Sequence, residues 1–245
     1  MKITKLFTTL FISALVIALH GCGGGGGEDK GPDTAPAVVD GEYSYFPENL
    51  EATWIYDDNN GYERTLWLED SGAINGYQSY SISRDGDGKI EEYYVSGDSG
   101  IYLAGLKFPV FIAYTNGSVE EYSAKVIFDE KLALLTEEMI EDFAKGDYDS
   151  FITYGRVNIS PDYGNHDVMV SVLHMYNGDD YISYNDLETK NIRLNLILSV
   201  DIDGYEIQKT IDYDIQFAEN IGIAGLEIQD EYGSESYELI EYSAE

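Results

Sequence analysis

Few residues in this chain combine the types and spacing that chemistry requires. The run Ser83-Arg84-Asp85-Gly86-Asp87-Gly88-Lys89-Ile90-Glu91 can be laid over a calcium-binding loop. Asp85 and Asp87 then supply carboxylates two residues apart, Gly88 makes the sharp turn, and Glu91 follows as a third acidic ligand. The first ligand position is Ser83, however, and the last is Tyr94, where a bidentate Glu is needed. The flanks alternate like strands rather than helices. The stretch therefore reads first as an acidic hairpin turn and second as a weak calcium loop. Asp57-Asp58 and Asp179-Asp180 are looser pairs of the same kind.

Acid–base and nucleophilic chemistry find less support. Beyond His20 the histidines are His166 and His174, which share parity on one predicted strand. Eight residues of strand separate them by roughly 27 Å, so they cannot share a metal or a proton. Acidic pairs are so numerous that no two stand out as glycosidase carboxylates. With no readable nucleophile and base, no catalytic residue is assigned and the expectation is a non-enzymatic protein with no cofactor beyond the weak calcium loop. Twenty-two tyrosines could build a sugar-stacking platform, but tyrosine is also a favoured strand residue that packs its ring and keeps its hydroxyl wet.

Cys22 is the only cysteine, which rules out Cys-ligated zinc and disulfides. It follows a basic start (Lys2, Lys5) and a mostly apolar run to Leu19, the layout of an export signal too short to span a bilayer comfortably. Leu19-His20-Gly21-Cys22 is similar to a bacterial lipobox, with His20 as its departure. That likeness implies cleavage before Cys22 and its acylation by palmitate-type chains, hence a lipoprotein tethered to a membrane, and the poly-glycine run after the cysteine resembles the tethers of Gram-negative envelope lipoproteins. Gly23 after the cysteine, in place of Asp, favours the outer membrane. Residues 1–21 are then the signal and 22–41 a Gly-rich tether, spanning roughly 25 Å root-mean-square if flexible. Residues 42–245 form a single domain, since no Pro- or Gly-rich break follows.

The two basic residues of the signal leave 12 Lys and Arg against 46 Asp and Glu in the mature chain. Such a surface repels phosphate backbones and anionic lipid head groups, so nucleic acid is excluded as a partner and the membrane is reached through the lipid anchor alone.

From residue 42 onward, Tyr, Ile, Val and Phe dominate, and turn residues interrupt them every 8 to 15 residues. Asn59-Asn60-Gly61, Asp85-Gly86, Asn116-Gly117, Asn177-Gly178 and Asp203-Gly204 are hairpin turns. The predicted fold is mainly β: a large curved antiparallel sheet, or half-barrel, with one or two helices on its concave face, and a β-sandwich as the alternative. Strands are expected near 51–56, 62–69, 77–84, 89–96, 100–104, 107–115, 118–128, 151–159, 167–176, 192–202, 205–217, 222–229 and 235–243. The best-determined hairpin turns at Asp203-Gly204, which pairs 202 with 205, 200 with 207, 196 with 211 and 192 with 215, all apolar and all on one face. Lys209, opposite Leu198, is the one exception on that face. The covering helix is expected within 130–145, where Leu132, Leu135, Met139, Ile140 and Phe143 recur near a helical spacing; a start at Thr136 is the alternative.

Trp54-Ile55-Tyr56, the segment from Tyr93-Tyr94 to Gly100-Ile101-Tyr102, Ala218 to Ala224, and Glu238 to Tyr242 resemble, in their order, bacterial lipoproteins of the LolA/LolB superfamily. The resemblance implies an unclosed barrel with a helical plug and a cavity for acyl chains or another apolar group. It transfers no functional residue. Two readings of function follow: a carrier that binds a lipid or hydrophobic ligand in a concave cavity, or a surface-exposed interaction or adhesion module, stabilised by calcium if the acidic loop binds it.

Overall fold

The computed structural model describes residues 44–243 apart from short stretches at 47–49, 59, 85–89, 98, 114–117, 161–163 and 203. Asp85 and Asp87 of the calcium pattern lie outside the described residues, as do the signal, Cys22 and the Gly-rich segment.

Alternation of apolar and polar residues makes strands of nearly the whole domain. They are β1 (Thr53–Asp58), β2 (Glu63–Ile74), β3 (Tyr77–Arg84), β4 (Glu91–Gly97), β5 (Gly100–Ala113), β6 (Val119–Thr136), β7 (Tyr148–Ser160), β8 (Gly164–Ile182), β9 (Leu187–Ile202), β10 (Tyr205–Ala218), β11 (Gly222–Asp230) and β12 (Gly233–Ser243). Each pairs antiparallel with its neighbours in sequence, and β1 also pairs with β12, from Thr53 with Ser243 to Asp58 with Tyr237, so the sheet runs round into a ring. The expected mainly-β, antiparallel, strongly curved sheet is present. The β9–β10 register is the predicted one, from Ile202 with Tyr205 to Ile192 with Ile215. Where two strands were expected at 100–104 and 107–115 there is one, because bulges between Ile101 and Tyr102 and between Leu103 and Gly105 bend β5 without ending it.

The ring is uneven. β3 and β4 share two residue pairs, Tyr80 with Tyr94 and Ser81 with Tyr93. β6 and β7 are laddered from Ser123 with Ser160 to Phe128 with Gly155 and no further. Beyond Phe128, β6 swings out through residues 129–131 and then pairs with β5 alone, from Leu132 with Leu103 to Thr136 with Gly100. The first half of β7, from Tyr148 to Tyr154, pairs only with β8. A gap therefore opens between β6 and β7 at the end of the ring where the chain enters, here the near end. Two glycines make the departure feasible: a Cβ on Gly105 would stand 2.4 Å from the Val126 carbonyl oxygen, and one on Gly155 2.4 Å from that of Ile127. β6 is thus gripped from both sides just before it bends.

Twelve strands enclose more space than side chains fill in a round barrel. Here the walls approach instead. Leu66, Leu68, Leu103, Leu106, Val126, Phe128, Val170, Leu196, Tyr213, Ile215 and Phe217 are all buried in one continuous core, and Lys209 of β10 reaches to 5.9 Å from the Phe108 ring of β5. At the near end Phe46 is 3% exposed, tilts 5.3 Å from the Tyr94 ring and stops that mouth. The chain is held there by Asn220 N–H donating to the Ser44 carbonyl. On the outside, the tip of the β2–β3 hairpin folds back so that Ile74 packs with Tyr93, Val95 and Ala104, and Asn75 donates to the Phe128 carbonyl at 2.6 Å.

The expected concave-face helix is corrected. Residues 130–135 continue β6, burying Leu132, Leu134 and Leu135, because two-residue alternation satisfies the core there better than a helical stripe would. The helix α1 is only Glu137–Asp142 and buries none of its residues; its cap is the alternative start, Thr136 accepting from Met139 N–H at 3.3 Å. Ile140 and Phe143, half-buried, pack against the core. The concavity is filled by the sheet's own side chains.

Candidate functional site

Odd-numbered strands end, and even-numbered strands begin, at the far end, opposite the entering chain, because the strands alternate up and down. There the lumen ends in a cavity of about 170 Å³ lined by Ile90, Ile228, Asp230, Tyr232, Gly233 and Glu235. Behind its Asp230 lies Lys209, which interrupts the apolar face of the β9–β10 hairpin between Ile192 and Ile215. Lys209 is 4% exposed. Its Nζ donates to Asp230 Oδ2 at 2.7 Å, lies 3.0 Å from Glu231 Oε2 and sits 4.5 Å from the centroid of the Tyr232 ring.

The β11–β12 turn is built to hold that ammonium. Asp230 Oδ1 accepts from the N–H groups of Tyr232 (2.8 Å) and Gly233 (3.1 Å), which orients Oδ2 toward Lys209. Burial alone would raise the Asp230 carboxyl, but Lys209 and the two backbone donors outweigh it and hold it below the usual carboxylate range. The Tyr232 phenol is pushed up by burial and by the charges of Glu231 and Asp230. Above the pair, Tyr232 and Phe111, 45% and 41% exposed, meet edge to face at 4.8 Å. The mouth thus presents two aromatic rings over a compensated ion pair, rimmed by the further carboxylates Glu231 and Glu235. Such a surface suits a sugar face or a cationic group, by stacking and by charge.

The middle of the lumen holds a second polar set. Glu92 and Tyr94 of β4 face Tyr213 of β10 across a void that is too narrow to admit a water molecule. Glu92 is wholly buried. His174 on β8, 2% exposed, donates Nε2–H to the Leu134 carbonyl of β6 at 2.8 Å, leaving Nδ1 without a hydrogen-bond partner. It bridges β8 to β6 where the β6–β7 ladder has ended. Burial pushes its pKa down, against smaller opposing effects of the Leu134 hydrogen bond and Asp149. A histidine kept neutral when folded but titrating near 6.5 when unfolded binds fewer protons in the native state. Stability is then fully present above about pH 6.5 and falls as the pH drops below it, by up to about 1.4 kcal/mol per pH unit. His174→Gln, which retains a donor for Leu134 but does not titrate, is expected to flatten the fall between about pH 6.5 and 5 in urea titrations compared with the natural chain.

Of the sequence-predicted metal ligands, Glu91 opens β4 and its Oε2 accepts from Lys107 Nζ at 2.9 Å, a surface pair. Among the described residues no group of three or more His, Cys, Asp or Glu side chains could hold a metal ion. Asp58 is a turn residue, its Oδ1 accepting from Asn60 and Tyr62 N–H at 2.9 Å each. Asp179 pairs with Lys190 at 2.7 Å. His166 opens β8 far from His174, as the spacing required. The mouth was signalled in the sequence only by Lys209 breaking an apolar register; Asp230, Tyr232 and Phe111 carried no comparable mark.

No protein-family model matches the chain, and no curated protein does. Among solved structures, a Parabacteroides distasonis ATCC 8503 protein described as a “putative lipoprotein”, with a crystal structure at 2.70 Å resolution, aligns with 8% identity and a TM-score of 0.36. The alignment covers 83% of this chain and all of that one. That likeness is too distant to carry a conclusion about this chain.

Proposed function

We propose that this chain is a lipid-anchored envelope protein of non-enzymatic type, acylated at Cys22 and held at the outer membrane, whose folded domain is an interaction module engaging its partner at the far mouth. The filled lumen supports this reading over a carrier of lipid. Ligand pockets for molecules of drug or acyl-chain size run to roughly 300 Å³ or more. The void beside Glu92 excludes even water, and Phe46 stops the near end. The shallow far mouth, by contrast, is accessible and carries two aromatic rings and carboxylates, the chemistry of a contact surface. The alternation that predicted an apolar face also lets the opposite walls interdigitate and use that face up.

Native mass spectrometry of the compact unit from Ala35 to Glu245, purified without detergent, tests the choice. The expected result is one bare mass, unchanged by organic extraction and unshifted by added calcium. An extractable mass of fatty-acid or phospholipid size would overturn the module in favour of the carrier. Stoichiometric calcium uptake would place the acidic loop around Asp85 back among the functional elements.

A further inference from the structure

The gap between β6 and β7 leaves a strand edge bare. In the β7–β8 ladder Tyr176 N–H donates to the Asp147 carbonyl, so the bonded positions of β7 are the odd ones that follow, opposite His174, Val172 and Val170. The N–H and C=O groups of Ser150 and Ile152, and the N–H of Tyr154, therefore point away from β8 and toward the gap; the Tyr154 carbonyl still adjoins β6, whose ladder ends at the neighbouring Phe128–Gly155 pair. Leu134 on the β6 side is capped by His174. The β7 side has no such cap among the described residues.

Its side chains are equally unusual for a bare edge. Tyr148, Ile152 and Tyr154 are 68%, 57% and 59% exposed, and Phe151, whose parity points inward, is still 40% exposed. Natural edges are guarded by lysines, prolines, bulges or inward-pointing charges, and of these the bare half of β7 has Asp149 alone. The segment leading into it is strongly acidic: Glu137, Glu138, Glu141, Asp142, Asp147 and Asp149 stand against Lys145 alone.

We propose that this edge is a β-augmentation site for an extended segment of a partner protein in which basic residues alternate with β-branched or aromatic ones. The added strand would take up the edge groups of Ser150 and Ile152 and the Tyr154 N–H, cover Phe151 on its inner side and stand beside Ile152 and Tyr154 on its outer side. Its cations would meet the carboxylates of α1 and the turn after it. A second copy of this chain fits less well. Its own edge segment, Tyr148 to Tyr154, carries Asp149 and no basic residue, so self-pairing brings no cation to the carboxylates beside the edge. The site lies on different strands from the far mouth, so either can fail alone.

The test uses the full-length protein and a synthetic nonapeptide, Lys-Val-Thr-Val-Lys-Val-Thr-Val-Lys, with its Glu-for-Lys counterpart, read by amide hydrogen exchange. In the free protein the amides of Ser150, Ile152 and Tyr154 are expected to exchange rapidly. Saturating Lys peptide slows them by roughly tenfold or more, and the Glu peptide binds at least roughly tenfold more weakly. Ile152→Pro removes an edge N–H that β8 does not use and is expected to abolish the protection. If that variant folds poorly, Ile152→Lys sets a like charge against the incoming strand and gives the same loss. Protection of these three amides without peptide would overturn the proposal, with sedimentation showing whether a second copy or the chain itself covers the edge. So would protection elsewhere, such as at Tyr232 in the far mouth, or equal binding of the Glu peptide.

Discussion

Lys209→Met is expected to lower the unfolding free energy by about 3 to 5 kcal/mol, read from urea denaturation, because it strands Asp230 as a buried carboxylate without its cation. Both side chains are nearly sealed from water, 5% and 7% exposed, so solvent cannot compensate for the lost partner. The decisive comparison is with the double variant Lys209→Met, Asp230→Asn. Removing both charges leaves no buried charge unpaired, the half-exposed Glu231 is compensated by water, and the amide oxygen of Asn still accepts from Tyr232 and Gly233 N–H. The double variant should recover most of the loss, in the way buried pairs replaced by apolar residues often break even. If it is as unstable as the single variant, Lys209 acts through packing on Phe108 and Tyr232 rather than through charge. Acid offers a second check. The Asp230 carboxyl is held down in the folded state, so the stability it contributes is present above its unfolded value near 4 and is lost as the pH falls through the lower folded value. The double variant should lack that contribution.

Gly155→Val is expected to cost about 3 kcal/mol, at the upper end of what overpacking exacts. The new Cβ would fall 2.4 Å from the Ile127 carbonyl oxygen and 3.0 Å from the Phe128 Cα, both backbone atoms that no rotamer change can move aside. β7 must then withdraw from β6, and the ladder from Ser123 to Phe128 is the only one joining these strands among the described residues. Amides on that ladder should exchange faster while those between β8 and β9 keep their protection. Uniform loss across the sheet would mean that the two strands separate only when the whole barrel does.

Most of the architecture was legible because local signals agreed. The Asp203-Gly204 turn and the apolar parity from Ile192 to Phe217 chose one register between them, and that register is present. The misread helix shows where local signals compete. Leu132, Leu135, Met139 and Phe143 fit a helical spacing, yet Leu132 and Leu135 lie on either side of a bulge that shifts the strand's parity, and a shifted parity mimics a turn of helix. Ring closure was not legible, since nothing near Thr53 announces Ser243 as its partner. Nor was the filling of the lumen, which depends on how closely opposite walls approach. At the mouth, the buried lysine was visible as an exception, but its carboxylate is one of 46 and became distinctive only once the β11–β12 turn had aimed it.

Closure through β1 and β12 also sets the order in which the domain can assemble. Every other ladder joins strands adjacent in sequence and can form as each hairpin is completed. The ladder between Thr53 and Ser243 joins residues 190 apart, so its loop-closure entropy is met only when all the intervening hairpins have shortened the effective loop. During synthesis the first strand must wait, one side unpaired, until the last has emerged. The tyrosine-rich sheet is therefore most exposed to aggregation in that interval, and a truncation that removes β12 would leave it there permanently.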